Sequence, residues 1–384
     1  MNVIRLMLIC IISVILLTGC WDRSEINDIA FVVATGVDKG AKNKYLYSVQ
    51  IPLPSSMGGA GSSGGGGGTS GEGPYLVAQG TGGNERQGIE EIQTKLSRRI
   101  YLGHRRVHII GESLAKAGIS KSLNAIFTQP RSRISTFLLI SNGDAVKLLK
   151  TQPRMEQYSG EGMREMSKNS LNMTARDALQ DLYREGKDMI IPVVNPAGTT
   201  KTDKTKKEVQ MESFAVFKED KLAFTTNKDE SAGILWLFEK MQKKSSSFPV
   251  AKNEELSVQI FEQQTEPKLK IVDGKPTFVL TVRAAGVLYE NEPNYRIEDP
   301  KTYRFIISKM ENEIKEEILA VLKHAHSQGV DVYGFGWYLF KNKHQEWEQN
   351  WKNNWRSTLP NLKVSVVVDA DIQRTTNIGI NEKE

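Results

Sequence analysis

Cysteine is nearly absent: the 384 residues include two, Cys10 and Cys20, both within the first twenty. The rest of the chain therefore forms no intramolecular disulfide and offers no thiolate nucleophile or metal ligand. That excludes disulfide scaffolds, zinc ribbons and cysteine enzymes. Long apolar runs are missing after residue 17, where nothing approaches the ~20 apolar residues of a membrane-spanning helix. Charge is close to balanced as well: 51 Lys+Arg against 45 Asp+Glu gives +6, a mild bias suited to an anionic lipid surface. No compact basic stripe with interleaved aromatics points to nucleic acid. What is present, 39% hydrophobic, 25% charged and 8% aromatic residues, is a globular composition. Most of the chain is expected to fold, in two or three domains.

The one apolar run, LMLICIISVILL at 6–17, follows Arg5. Its length suits the ~7 to 15 residues of a signal-peptide core rather than a transmembrane helix. Leu17-Thr18-Gly19-Cys20 then resembles the bacterial lipobox, in which small residues enter the signal peptidase site and the thiol receives diacylglycerol. Residues 1–19 are thus expected to be a lipoprotein signal peptide, cleaved between Gly19 and Cys20. Cys20 would carry the N-acyl and S-diacylglycerol groups, and loss of Arg5 would leave +5. Two or three acyl chains hold a protein stably where one does not. The chain after Cys20 is therefore expected on the outer face of a cytoplasmic membrane, tethered to it but not crossing it.

Strands are expected at 29–37, 45–53 and 75–80. Between the last two, residues 58–73 are glycine at ten of sixteen positions and read as a disordered loop inside one domain. Ile89, Ile92, Leu96 and Ile100 mark an amphipathic helix, 106–111 and 134–140 strands, and 112–127, 143–150 and 161–185 helices, the last restarting at a Thr174/Asp177 cap. The proline-flanked basic run KTDKTKKE at 201–208 reads as a linker. It would separate an N-terminal α+β region, 20–200, of one or two subdomains from a C-terminal α+β domain, 209–378, followed by a tail at 379–384. The C-terminal domain carries a hairpin at 213–226 turning at Glu219 and Asp220, a helix in 232–242, and strands at 256–262 and 277–289. A long helix with an apolar stripe of Tyr303, Ile307, Met310, Ile314, Ile318, Leu322 and Ala325 ends at Gly329, a helix near 342–356 follows, and a strand at 362–372 closes the chain. The fold class expected is α+β: multidomain, with mixed or antiparallel sheets and packed helices behind an N-terminal lipid anchor.

No catalytic constellation emerges. His104 and His108 fall on an extended segment that holds them ~13 Å apart. His324 and His326 point different ways on a helix, and no acid cluster completes a metal set. Gly-x-Ser-x-Gly, Walker and His-Glu-x-x-His motifs are absent. Trp347, Trp351 and Trp355, at i, i+4 and i+8, are the stripe a helix packs on a sheet, with a surface for a membrane partner or lipid as the alternative.

Several stretches together carry a resemblance: Leu17-Thr18-Gly19-Cys20-Trp21-Asp22-Arg23, Gly36-Val37-Asp38-Lys39-Gly40, Leu96-Ser97-Arg98-Arg99, Ile109-Ile110-Gly111-Glu112, Ala215-Val216-Phe217-Lys218, Gly233-Ile234-Leu235-Trp236-Leu237, Asp273-Gly274-Lys275-Pro276 and Gly334-Phe335-Gly336. In order and spacing the chain resembles, from end to end, the C-subunit lipoproteins of bacterial spore germinant receptors, the Ger(x)C family. The glycine run at 58–73 is the main departure. The resemblance implies several α+β domains, no catalysis, no cofactor and no metal. It also implies a place in the spore inner membrane beside an A subunit and a multi-spanning B subunit, in a receptor needed for nutrient-triggered germination. The expected role is contact with those partners, without nucleic acid or small-molecule binding. The alternative is a solute-binding lipoprotein that senses the germinant itself.

Overall fold

A computed structural model describes residues 3–5, 7, 25–53, 74–129, 132–200 and 208–373. Gly19, Cys20, the glycine run 58–73, most of the expected linker (201–207) and the tail lie outside the described residues.

The chain opens with β1 (Ile29–Phe31), β2 (Ala34–Lys39), β3 (Tyr45–Pro52) and β4 (Tyr75–Gly82), then α1 (Glu85–Gln93), β5 (Arg99–Tyr101) and β6 (Val107–Gly111). There follow α2 (Glu112–Ala117), α3 (Ser120–Thr128), β7 (Phe137–Ser141), α4 (Ala145–Leu149), α5 (Ser159–Lys168), α6 (Ala175–Tyr183), β8 (Ile190–Ala197), β9 (Glu208–Lys218) and β10 (Lys221–Thr225). Eight of these strands form one sheet in the order β10-β9-β8-β7-β6-β2-β3-β4, while β1 and β5 pair separately. Its centre, β2, β6, β7 and β8, is parallel, and the flanking pairs are antiparallel. Parallel strands need crossovers, supplied by the β3–β4–α1 segment between β2 and β6 and by α2 to α6 between β6, β7 and β8, and they are buried on both faces. Every residue of β6 is accordingly buried.

The second unit contains α7 (Lys228–Leu237), β11 (Ser245–Ala251), β12 (Glu254–Val272), β13 (Lys275–Asn291), α8 (Pro300–Ser327), α9 (Phe335–Asn342) and β14 (Lys363–Gln373). Its sheet runs β11-β12-β13-β14, and α8 lies against it. The long β12–β13 hairpin turns on Asp273 and Gly274, at φ 51° and 71°, the two positive-φ residues a type I′ turn requires. Asp299 caps α8 ahead of Pro300 at its first turn, accepting from Thr302 N at 2.8 Å. At the other end Gly329 (φ 69°) allows Gly329 N to donate to His326 O and Val330 N to Ala325 O, a Schellman closure. One turn of α8 differs from the expected stripe. Ile306 is fully buried and Ile307 only partly, because a 28-residue helix drifts against any fixed spacing.

Four further differences follow from tertiary context. Ile100 lies in β5 and not on the first helix, which ends at Gln93. The helical stretches expected around 112–127 divide at Gly118 (φ 125°) into α2 and α3. That near 342–356 is a chain of short α, π and 3-10 pieces after α9 ends at Lys343, whose φ −143° and ψ 50° no helix continues. Lastly, the run 201–208 is not a boundary between sheets. It connects β8 to β9, which are hydrogen-bonded neighbours, and Glu208 is the first residue of β9. The strands β9 and β10, expected in the C-terminal domain, complete the first sheet.

The reason lies in the alternation of β8 and β9. Met189, Ile191, Val193, Ala215 and Phe217 enter the first unit's core, while Ile190, Phe214 and Val216 enter the second's. The apolar run Phe214-Ala215-Val216-Phe217 is the signature of a strand buried on both faces, here with a different core on each.

Candidate functional site

The sharpest polar constellation lies where the two units meet. The α6–β8 loop carries Glu185, Gly186, Lys187 and Asp188, and the α8–α9 loop carries Asp331. Asp188 N donates to Asp331 O at 3.0 Å, and Asp331 N donates to Asp188 Oδ2 at 2.8 Å. Arg356 closes on Asp188 with both terminal nitrogens, at 2.9 and 3.1 Å, and also donates to Gly329 O. Glu219 N, from the β9–β10 turn, adds a fourth donor to Asp188.

Asp331, 1% exposed, organises its own loop. Its carboxylate accepts from Gly334 N, Phe335 N, Gly336 N and Trp355 Nε1 at 2.8 to 3.0 Å. Burial pushes its carboxyl up to about 6 against those four hydrogen bonds, so it is ionised at neutral pH. The two loops touch backbone to backbone. A Cβ on Gly186 would lie 2.5 Å from Gly336 Cα, and Trp337 N donates to Gly186 O. Across the same contact Trp347 Nε1 donates to Glu185 at 2.8 Å, and Lys352 pairs with it at 2.9 Å. These two donors hold the Glu185 carboxyl below its usual range.

Every acid here is engaged by donors from the opposite unit or from its own loop, so none is left as a general base. The arrangement is a clamp: moving one loop without the other breaks several buried hydrogen bonds at once. Trp347, Trp351 and Trp355 belong to this packing. They are 1%, 7% and 4% exposed within the second core, so none presents a face to a partner or to lipid.

The motifs in the first unit also converge on structure. Asp38, from Gly36-Val37-Asp38, accepts from Ala145 N and Val146 N at the start of α4, at 2.7 and 3.2 Å. Gly111, from Ile109-Ile110-Gly111, sits where a Cβ would lie 2.0 Å from Asp38 Oδ1. The carboxylate thus replaces a local cap with one from 107 residues away.

A third cluster is wholly internal. His108 is fully buried, with Nδ1 2.8 Å from Thr35 Oγ1 and Nε2 3.2 Å from Ser122 Oγ. Ser122 in turn donates to Glu85. Burial, then Arg105, hold the imidazole well below its usual pKa, hence neutral. Because the Ser122 proton is committed to Glu85, Ser122 accepts from Nε2–H. The order is the reverse of a serine nucleophile donating to its base. Glu85 itself is pushed up to about 7 by burial. The folded chain therefore keeps this proton between about 4.5 and 7, where the unfolded chain has lost it. The stability it contributes is present in full below about 4.5 and is lost as pH rises through 7, about 3 kcal/mol in all. Glu85→Gln is expected to remove that dependence. Urea unfolding should show the variant gaining on the wild type by up to about 3 kcal/mol between pH 5 and pH 8. An unchanged difference would show that Glu85 titrates normally.

Of the other expectations, His104 packs edgewise on Phe31, and His324 stacks on Phe224 with Nδ1 2.7 Å from Glu230. Among the described residues no three His, Cys, Asp or Glu side chains are placed to hold a metal, and no helix is long and apolar enough to cross a membrane. Sequence reasoning overlooked Asp188, Asp331 and Arg356. The available signal was the glycine pair 334/336, three and five residues after an aspartate.

Known proteins resemble the chain in both halves. Residues 22–196 match the model of the spore germination protein N-terminal domain, and residues 212–376 match that of the spore germination B3/GerAC-like C-terminal domain. The putative spore germination protein YfkR of Bacillus subtilis (strain 168) is 31% identical over 86% of this chain and 85% of its own. Spore germination protein KC of the same organism is 26% identical over 96% and 95%. The crystal structure of the GerBC protein aligns with a TM-score of 0.54 over 91% of this chain and 99% of that one, at 17% identity, which shows a common fold. With both halves matched in order and a relative above 30% identity along most of its length, the chain belongs to the GerAC-like, or Ger(x)C, family of spore germination proteins.

Proposed function

We propose that the chain is a non-catalytic lipoprotein subunit of a spore germinant receptor. It is tethered through Cys20 to the outer face of the cytoplasmic membrane, which is the inner membrane of the spore, and acts by contact with the membrane-embedded A and B subunits. The observation that carries this reading is the family match through both halves of the chain, 22–196 and 212–376. The clamp at Asp188 and Asp331 supports it, since a coupling subunit needs its units to move together. The lipobox-like Leu17-Thr18-Gly19-Cys20 supports the tether.

Cys20→Ala tests the anchor. Spores carrying it are expected to lose the protein from the inner-membrane fraction and to respond to nutrient far more slowly, with the remaining receptor subunits retained. A variant that stays at the membrane and germinates normally would show the lipid to be dispensable and overturn the tether. Co-purification of the wild-type chain with A and B subunits from spore membranes tests the contact role, and their absence from the purified material would defeat it.

A further inference from the structure

Beside the clamp lies a cleft of about 270 Å³, walled by the end of α6 and the following loop on one side and by the residues after α7 on the other. Its charge is unbalanced once each acid's partners are counted. Asp177, besides its capping-box bonds from Thr174, pairs with Arg176 at 3.5 Å, which does not line the cleft. Asp188 is held by Arg356, which does not line the cleft. That leaves Asp181 for three cations. Its Oδ1 accepts from Arg184 at 2.8 Å and from Lys187 at 3.0 Å, while Lys240 has no ion pair among the described residues. Met173, Ile190 and Phe238 supply an apolar floor, with the Lys187 ammonium 5.6 Å from the Phe238 ring centre.

We propose that this cleft binds a small organic carboxylate with a short apolar body, the anion on Lys240, Lys187 and Arg184 and the body on Phe238 and its neighbours. Three cations sharing one carboxylate favour an anion. The apolar floor favours an organic one over inorganic phosphate, and the volume, at the lower edge of the ~300 to 1,000 Å³ of drug-sized sites, suits a small one. Because Arg184 and Lys187 come from the first unit and Phe238 and Lys240 from the second, the occupant would bridge both beside the clamp. The site was not legible in the sequence, where residues 173–190 and 238–240 are far apart.

Calorimetry on the full chain in non-ionic detergent, with butanoate, butylammonium and inorganic phosphate as probes, tests this. Butanoate is expected to bind saturably at one per chain and butylammonium not at all. Lys240→Ala is expected to weaken butanoate roughly tenfold with unchanged thermal midpoint, and Asp181→Asn, which frees two cations, to tighten it severalfold. Absence of saturable butanoate binding in both the wild type and Asp181→Asn would overturn the proposal. So would phosphate binding as tightly as butanoate, or indifference to Lys240→Ala in a folded variant. Each of these readouts is independent of the Cys20 tether and of the receptor partners.

Discussion

Asp331→Ala is expected to destabilise the protein by about 5 kcal/mol and to loosen the junction between the two units. The substitution leaves three backbone N–H groups, of Gly334, Phe335 and Gly336, and the Trp355 indole N–H without their acceptor in a buried loop. Each orphaned donor costs about 1 to 3 kcal/mol, and partial relaxation keeps the sum below the simple total. The loss spreads because the same loop supplies the Asp331 O and N atoms that bond Asp188. Arg356, bidentate on Asp188, and the Glu185 bonds to Trp347 and Lys352 would then carry the polar part of the junction. Urea unfolding at pH 7 followed by tryptophan fluorescence should report the change directly, since Trp355 loses its partner and Trp347 lies 5.5 Å from it. Asp331→Asn, which keeps a side-chain oxygen acceptor, should lose less than Asp331→Ala. Equal stability of Asp331→Ala and the wild type would mean the loop is held by packing alone, and the clamp would have to be abandoned.

Gly233→Ala is expected to cost about 4 kcal/mol, although the residue sits mid-helix, where alanine is the better helix former by about 1 kcal/mol. Helices α7 and α8 approach so closely that an added Cβ would lie 2.2 Å from Glu317 O and 2.8 Å from its carbonyl carbon. Backbone, unlike the end of a side chain, does not swing away, so the two helices must move apart by about 1 Å. Trp236, three residues on and fully buried, donates to Glu317 at 2.7 Å and would lose that bond as they separate. Burial pushes the Glu317 carboxyl up to about 7 even with that bond in place. Differential scanning calorimetry checks this prediction. A thermal midpoint within a degree of the wild type would show that the helices slide apart without cost, whereas local propensity alone predicts a gain.

Both sites bear on what the motifs of the sequence signify. Gly233, Gly334, Gly336, Asp38 and Gly111 all lie in stretches by which the chain resembles its family, and each marks a close approach or a long-range cap. In these stretches the resemblance is carried by positions the fold requires. The residues that join the units, Asp188 and Arg356, fall outside every such stretch, and only one carboxylate near a glycine pair hinted at Asp331. The tryptophan stripe shows the opposite case. Its spacing is that of a helix, yet the segment bends through π and 3-10 turns while the three indoles remain buried. Burial tolerated the change of backbone because Trp347 and Trp355 find their acceptors in Glu185 and Asp331, outside the segment.

The amino-acid sequence by itself determined the elements whose signals are local. The 28-residue helix between Asp299 and Gly329, the Thr174/Asp177 capping box and the Asp273-Gly274 turn each follow from residues within a few positions of one another. Composition and resemblance likewise pointed to the α+β class and the family. Tertiary structure alone decided that β9 and β10 complete the first sheet, that an internal Glu85–Ser122–His108 chain exists, and that Asp188 meets Asp331 and Arg356 across 143 and 168 residues. The physical reason is range. Caps, turns and periodicity act over one or two turns of chain, whereas a strand with two apolar faces is satisfied by either of two cores. A buried carboxylate is defined by donors that only the assembled fold brings within 3 Å.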